Sequence, residues 1–82
     1  MRLSYHPDTD SLYIHLVDYP GVEAREVAPG IVLDFDAEGK PVGIDIEHAQ
    51  NILDLTTLET ESLPLKVKTA FSLHKLTSKG LG

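Results

Sequence analysis

Two groups of residues in this chain have the types and spacing that chemistry would need. The first is Asp34-Phe-Asp36-Ala-Glu38-Gly39, followed by Asp45. Acidic residues at the first, third and fifth positions, a glycine at the sixth and a carboxylate at the twelfth copy the ligand order of a calcium-binding EF-hand loop. Three features oppose that reading. Pro41 falls where such a loop takes a β-branched or leucyl residue, the closing ligand is Asp rather than the longer bidentate Glu, and both flanks alternate as strands do. The preferred reading of the same residues is a row of outward carboxylates around a glycine turn. The second group is the histidines His6, His15, His48 and His74, no two of which have the close spacing of a zinc pair. On a sheet, His15 would stand beside carboxylates of a neighbouring strand. A metal site would therefore draw on His15, Asp34 and Asp45, against the alternative of an ordinary surface histidine. No metal and no other cofactor is assigned on this pattern.

Catalysis by the remaining residues finds less support. Ser4, Ser11, His15 and Asp34 supply the types for acyl transfer, without a nucleophile elbow or a spacing that implies mutual geometry. Asp45 and Glu47 alternate along one strand and would stand about 7 Å apart on its solvent face, as two solvated charges. Gly21, Gly30 and Gly39 mark turns rather than a phosphate-binding loop. No catalytic residue is assigned, and a non-enzyme is the preferred expectation.

The elements that must position these residues are five short strands between Arg2 and His48. Leu12, Ile14 and Leu16 alternate with Tyr13, His15 and Val17, the period-two mark of a half-buried strand. Pairing Leu3 with Ile14 and Tyr5 with Leu12 puts these apolar residues on one face and leaves Pro7-Asp-Thr-Asp10 as a turn. In a second hairpin Ile31, Leu33 and Phe35 face Val42, Ile44 and Ile46 around Ala37-Glu-Gly-Lys40. Only an even loop length brings Leu33 opposite Ile44 and Ile31 opposite Ile46; a one-residue slip would bury carboxylates. Asp34 is placed outward, where its loss should matter little. Glu23 to Ala28 is a polar strand suited to an edge. Short connections predict an up-and-down order of strands.

Beyond His48 the pattern predicts a short helix over 49–55 with Ile52 and Leu53 turned inward, and Asp54 capping a further turn through Leu58. Alternation over Leu65 to Leu73 favours a strand over a helix, burying Val67 and Phe71 and contributing to a subunit interface. The expected fold is thus α+β and mainly β: an antiparallel β-meander of about five strands with a short helix and an additional C-terminal strand. It forms a single domain, 1–82, with the meander at 2–48, the cover at 49–76 and a frayed tail at 77–82.

The order and spacing of three segments resemble one small prokaryotic family. They are Tyr5-His-Pro-Asp-Thr-Asp-Ser-Leu-Tyr-Ile, Glu23-Ala-Arg-Glu-Val-Ala-Pro-Gly-Ile-Val-Leu-Asp-Phe-Asp and Gly39-Lys-Pro-Val-Gly-Ile-Asp-Ile. The family is that of domain of unknown function 2283. The likeness covers the first three-fifths of the chain; His6 stands where an acidic residue is expected and His15 at a variable outward position. Members are sometimes encoded beside small toxin-like proteins, so the resemblance implies an antitoxin-like role with a small basic protein as partner. It carries over no catalytic residue.

Composition narrows the classes further. At 82 residues the chain is expected to bury roughly 63% of its unfolded surface, near the lower end for a domain that folds alone. With no cysteine to staple the core, self-association as a homodimer or higher homo-oligomer is the expected source of extra stability. The formal charge is −6, and the first 63 residues hold only Arg2, Arg25 and Lys40 as cations. Nucleic-acid binding by the main body is therefore not expected. Neither a membrane span nor a signal-peptide pattern is legible, which predicts a soluble, cytoplasmic protein. Tyr13 and Tyr19, with Val17 and Val32, form a candidate partner surface, to which Phe71 is added; the alternative is partial burial of the two tyrosines under the C-terminal segment.

Overall fold

A computed structural model describes residues 1–69 of the chain. Its strands are β1 (Arg2–His6), β2 (Ser11–His15), β3 (Glu23–Ala28), β4 (Ile31–Phe35) and β5 (Pro41–Ile46), followed by one helix, α1 (Ala49–Ile52). All neighbouring strands run antiparallel, as the sequence pattern predicts. The order across the sheet is β1-β2-β5-β4-β3. This differs from an up-and-down path, because β2 lies beside β5 and the Leu16–Val22 connection crosses to the far edge. The apolar pattern explains the choice. β5 carries Val42, Ile44 and Ile46, and at the centre it places Ile14 and Leu33 on either side of Ile44, and Leu12 and Ile31 on either side of Ile46. The charged β3 is left at an edge, where the sequence suited it.

The first hairpin has Leu3 opposite Ile14 and Tyr5 opposite Leu12. The second has Leu33 opposite Ile44 and Ile31 opposite Ile46. Beyond Asp34 its register shifts by one residue, so that Phe35 pairs with Pro41 rather than with Val42. The Ala37–Lys40 turn is held by Asp36, whose carboxylate accepts the amides of Glu38 and Lys40, both at 2.9 Å. Gly39 takes the left-handed φ of +83° that this turn requires.

α1 starts where Asp10 receives it. The Asp10 carbonyl accepts the Ala49 amide at 2.9 Å, and its carboxylate accepts the Gln50 amide at 3.2 Å. Ala49 is fully buried against Leu12 and Ile46, and Leu53 packs at the margin of this core. The helix ends at Ile52, short of the expected 55, and Ile52 is exposed rather than turned inward. Asp54 caps only a turn, accepting the Thr56 amide at 3.0 Å. Residues 65–69 have no secondary structure, and Val67 is 60% exposed rather than buried. The remainder of the expected C-terminal strand, including Phe71, lies outside the described residues. Among the described residues no helix is long and apolar enough to cross a membrane.

Candidate functional site

The polar face of the sheet is organised by a residue that has no side chain. Gly43 is buried in the middle of β5, between His15 on β2 and Asp34 on β4. A Cβ there would lie inside the Tyr13 phenol. The tyrosine uses that gap to lie across the central strand, and its hydroxyl donates to Asp34 Oδ2 at 2.5 Å. The His15 ring meets the Tyr13 ring edge to face, with centroids 4.5 Å apart. Arg2 Nη2 stands 3.5 Å from His15 Nε2, at the outer limit of a hydrogen bond. The bond to Asp34 pushes the Tyr13 pKa up to about 12, with burial and the charges of Asp34 and Asp45 adding to it. At neutral pH the phenol is therefore a fixed donor and not a nucleophile. Asp34 is not the solvated charge expected from alternation but a half-buried acceptor.

These contacts decide how the sequence candidates sort. His15, Asp34 and Asp45 share this face on three adjacent strands, yet the Tyr13 ring is engaged with both His15 and Asp34. No group of three His, Cys, Asp or Glu side chains close enough to hold a metal occurs among the described residues. The EF-hand-like acids belong to a strand end and a hairpin turn. Asp34 serves Tyr13, Asp36 serves the turn amides, and Glu38 sits 3.7 Å from Lys40 on the exposed side. Ser11 Oγ accepts from Thr9 Oγ1 at 2.9 Å. Tyr19 is 67% exposed in the β2–β3 connection, while Tyr13 is half-buried, so the two tyrosines stand in different environments. His48 is exposed in a left-handed conformation at the start of α1. Sequence reasoning missed the Tyr13–Asp34 bridge, although a mid-strand glycine is the local sign of a close approach.

The opposite face offers apolar surface. Two rows of side chains cross it, and α1 covers only one. In the covered row Leu12 and Ile46 are each 6% exposed. In the other row Leu3, Ile14, Ile44 and Leu33 lie side by side; the last three are half-buried and Leu3 is 45% exposed. Beside the helix a groove of about 690 Å³ is lined by Tyr5, Gln50, Leu53, Asp54, Leu55 and Thr56. Tyr5 is fixed at its rim, accepting from Gln50 Nε2 at 2.9 Å and donating to Asp10 Oδ1 at 2.7 Å. The Gln50 bond lowers the Tyr5 pKa, but the Asp10 bond, burial and the Asp10 charge outweigh it, so the net shift is upward. Asp54 is held below the usual carboxylate range by the Thr56 hydroxyl and amide.

A family model described as a protein of unknown function (DUF2283) matches residues 2–50 of the 82. The match contains all five strands and the start of α1. No curated protein and no solved structure matches the chain.

Proposed function

The chain belongs to the DUF2283 family, and from that starting point we propose that it is a non-catalytic protein-interaction module that works as a homo-oligomer. The observation that carries this reading is the row Leu3–Ile14–Ile44–Leu33, continuous across four strands and, among the described residues, left open by a helix of four residues. Burying such a row removes apolar surface from water at about 25 cal/mol per Å². A chain this small has little other core from which to draw stability. The polar face supports the same reading: its best-defined group is a closed tyrosine–carboxylate pair with a phenol that stays protonated.

An antitoxin-like variant of this function adds a small basic protein as a second partner. It is supported by exposed acids at the far edge of the sheet and the turn next to it, Glu23 and Glu26 on β3 and Glu38 between β4 and β5. Such a surface would steer a basic protein to the complex by charge.

The test is analytical ultracentrifugation of the untagged 82-residue chain across a concentration series, with mass spectrometry of whatever co-elutes from its source cells. A species of at least twice 9.0 kDa is expected. A chain that stays at monomer mass at every concentration, with no stoichiometric protein bound, overturns the proposal. A basic protein bound in fixed ratio would establish the antitoxin-like variant.

A further inference from the structure

Resting on the interaction-module reading, we infer that the outer edge of β1 is the self-association site. Two copies add their β1 strands antiparallel about a two-fold axis at Ser4, joining two five-stranded sheets into one.

The edges of this sheet are β1 and β3, and they differ in how they are guarded. β3 carries Glu23, Arg25 and Glu26, and its ladder is broken by a register shift between Glu26 and Ala28. Charge and a bulge are the devices by which natural sheets prevent edge pairing. β1 has neither. Its five residues pair with β2 without a shift, it holds no acidic residue, and none of its backbone groups has another backbone partner among the described residues. In a chain of formal charge −6, a strip built from Arg2, Leu3, Ser4, Tyr5 and His6 is where two copies meet with no carboxylate on either strand.

The register follows from the pleat. Residues directly opposite in an antiparallel pair share a face, so a one-residue slip would join the apolar face of one copy to the polar face of the other. The full-length overlap that avoids this sets Ser4 against the partner's Ser4, Leu3 against the partner's Tyr5 and Arg2 against the partner's His6. That arrangement also offsets the rows. The α1-covered row, which ends at Tyr5, meets the uncovered row of the other copy, which begins at the partner's Leu3. The groove beside Tyr5 thereby comes next to the partner's Leu3, the most exposed member of that row. Each copy supplies what the other lacks, and the two-fold axis makes the exchange mutual.

The chain has no cysteine, so a single introduced thiol reads the register directly. Opposite Cα atoms of an antiparallel pair lie about 4.5–5.5 Å apart, within disulfide reach. Ser4→Cys should therefore form a covalent dimer under mild oxidation. His6→Cys lies two residues from the axis on each strand, which separates the two thiol-bearing Cα atoms by about 14 Å and should leave the chains unlinked. Ser4→Lys sets two ammonium groups face to face, and should sediment at 9.0 kDa instead of twice that mass while keeping the β-sheet circular dichroism. A wild-type dimer in which neither cysteine variant links, or both link alike, overturns the β1 interface and leaves the interaction module standing. A wild-type monomer overturns the β1 interface, and overturns the interaction module as well when no other protein is bound in fixed ratio.

Discussion

At Tyr13 a single hydroxyl connects β2 to β4 across the central strand, and its titration makes that bridge measurable. A phenol ionises near 10 in an unfolded chain and at about 12 here. The folded state thus holds this proton more tightly, so the bridge contributes fully below pH 10 and is lost as pH rises from 10 to 12. Wild type and Tyr13→Phe should accordingly differ in urea midpoint at pH 8 and converge by pH 12. A constant difference across that window would show that the bond to Asp34 does not control the ionisation. In Asp34→Asn, ultraviolet titration should show the high phenol transition moving back toward 10. The gap that admits the ring is equally specific. Gly43→Ala drives a methyl group into the phenol, and a loss of about 1–3 kcal/mol is expected from such overpacking, read as a shifted chemical-denaturation midpoint. This residue-scale arrangement was half legible in the sequence. Alternation put Tyr13, His15, Asp34 and Asp45 on one face, and the structure does likewise. Alternation could not say that a tyrosine would reach diagonally over a glycine, since that depends on which strand is the neighbour.

The hairpins were readable because each has an apolar face that only one register buries. Leu33→Asp should therefore cost about 3 kcal/mol or more, by placing a carboxylate beside Ile44. Asp34→Ala should cost about 1 kcal/mol, the worth of one partly exposed hydrogen bond to a charged acceptor and more than a free surface charge would be. Equal melting temperatures for the two variants would contradict the register. The order of strands was not readable in the same way, because short connections favour sequential neighbours while burial favours β5 between β2 and β4. Burial prevailed, through two rows of aliphatic side chains that a sequential order would have split around the charged β3. α1 shows a different limit: its helical propensity is slight, and its start is fixed by Asp10, forty positions earlier in the chain. Asp10 also sits at a φ of +54°, a conformation that Asn tolerates and Ala does not. Asp10→Asn should stay near wild type, and Asp10→Ala should lose about 1–2 kcal/mol by thermal melt, from the lost cap and the strained backbone together.

At the scale of the whole molecule, amphipathic alternation over 65–73 signalled a strand, but a strand also needs a neighbour. Residues 65–69 have none, and both sheet edges remain without them. Among the described residues the apolar face is larger than one short helix covers, which is the deficit that alternation predicts. How that deficit is met can be separated from charge attraction by salt. Each copy carries a formal −6, so two copies repel at long range, while the β1 strips that meet hold no carboxylate. Screening shortens the reach of the repulsion from about 30 Å at 0.01 M salt to about 10 Å at 0.1 M and leaves apolar burial intact. Self-association through β1 should therefore tighten as salt rises, and the melting temperature should climb with protein concentration because only the folded copies associate. Sedimentation equilibrium at 0.01 M and 0.3 M sodium chloride measures this. A dimer that weakens with added salt would mean that opposite charges hold it, and would overturn a contact made by the carboxylate-free β1 strips alone.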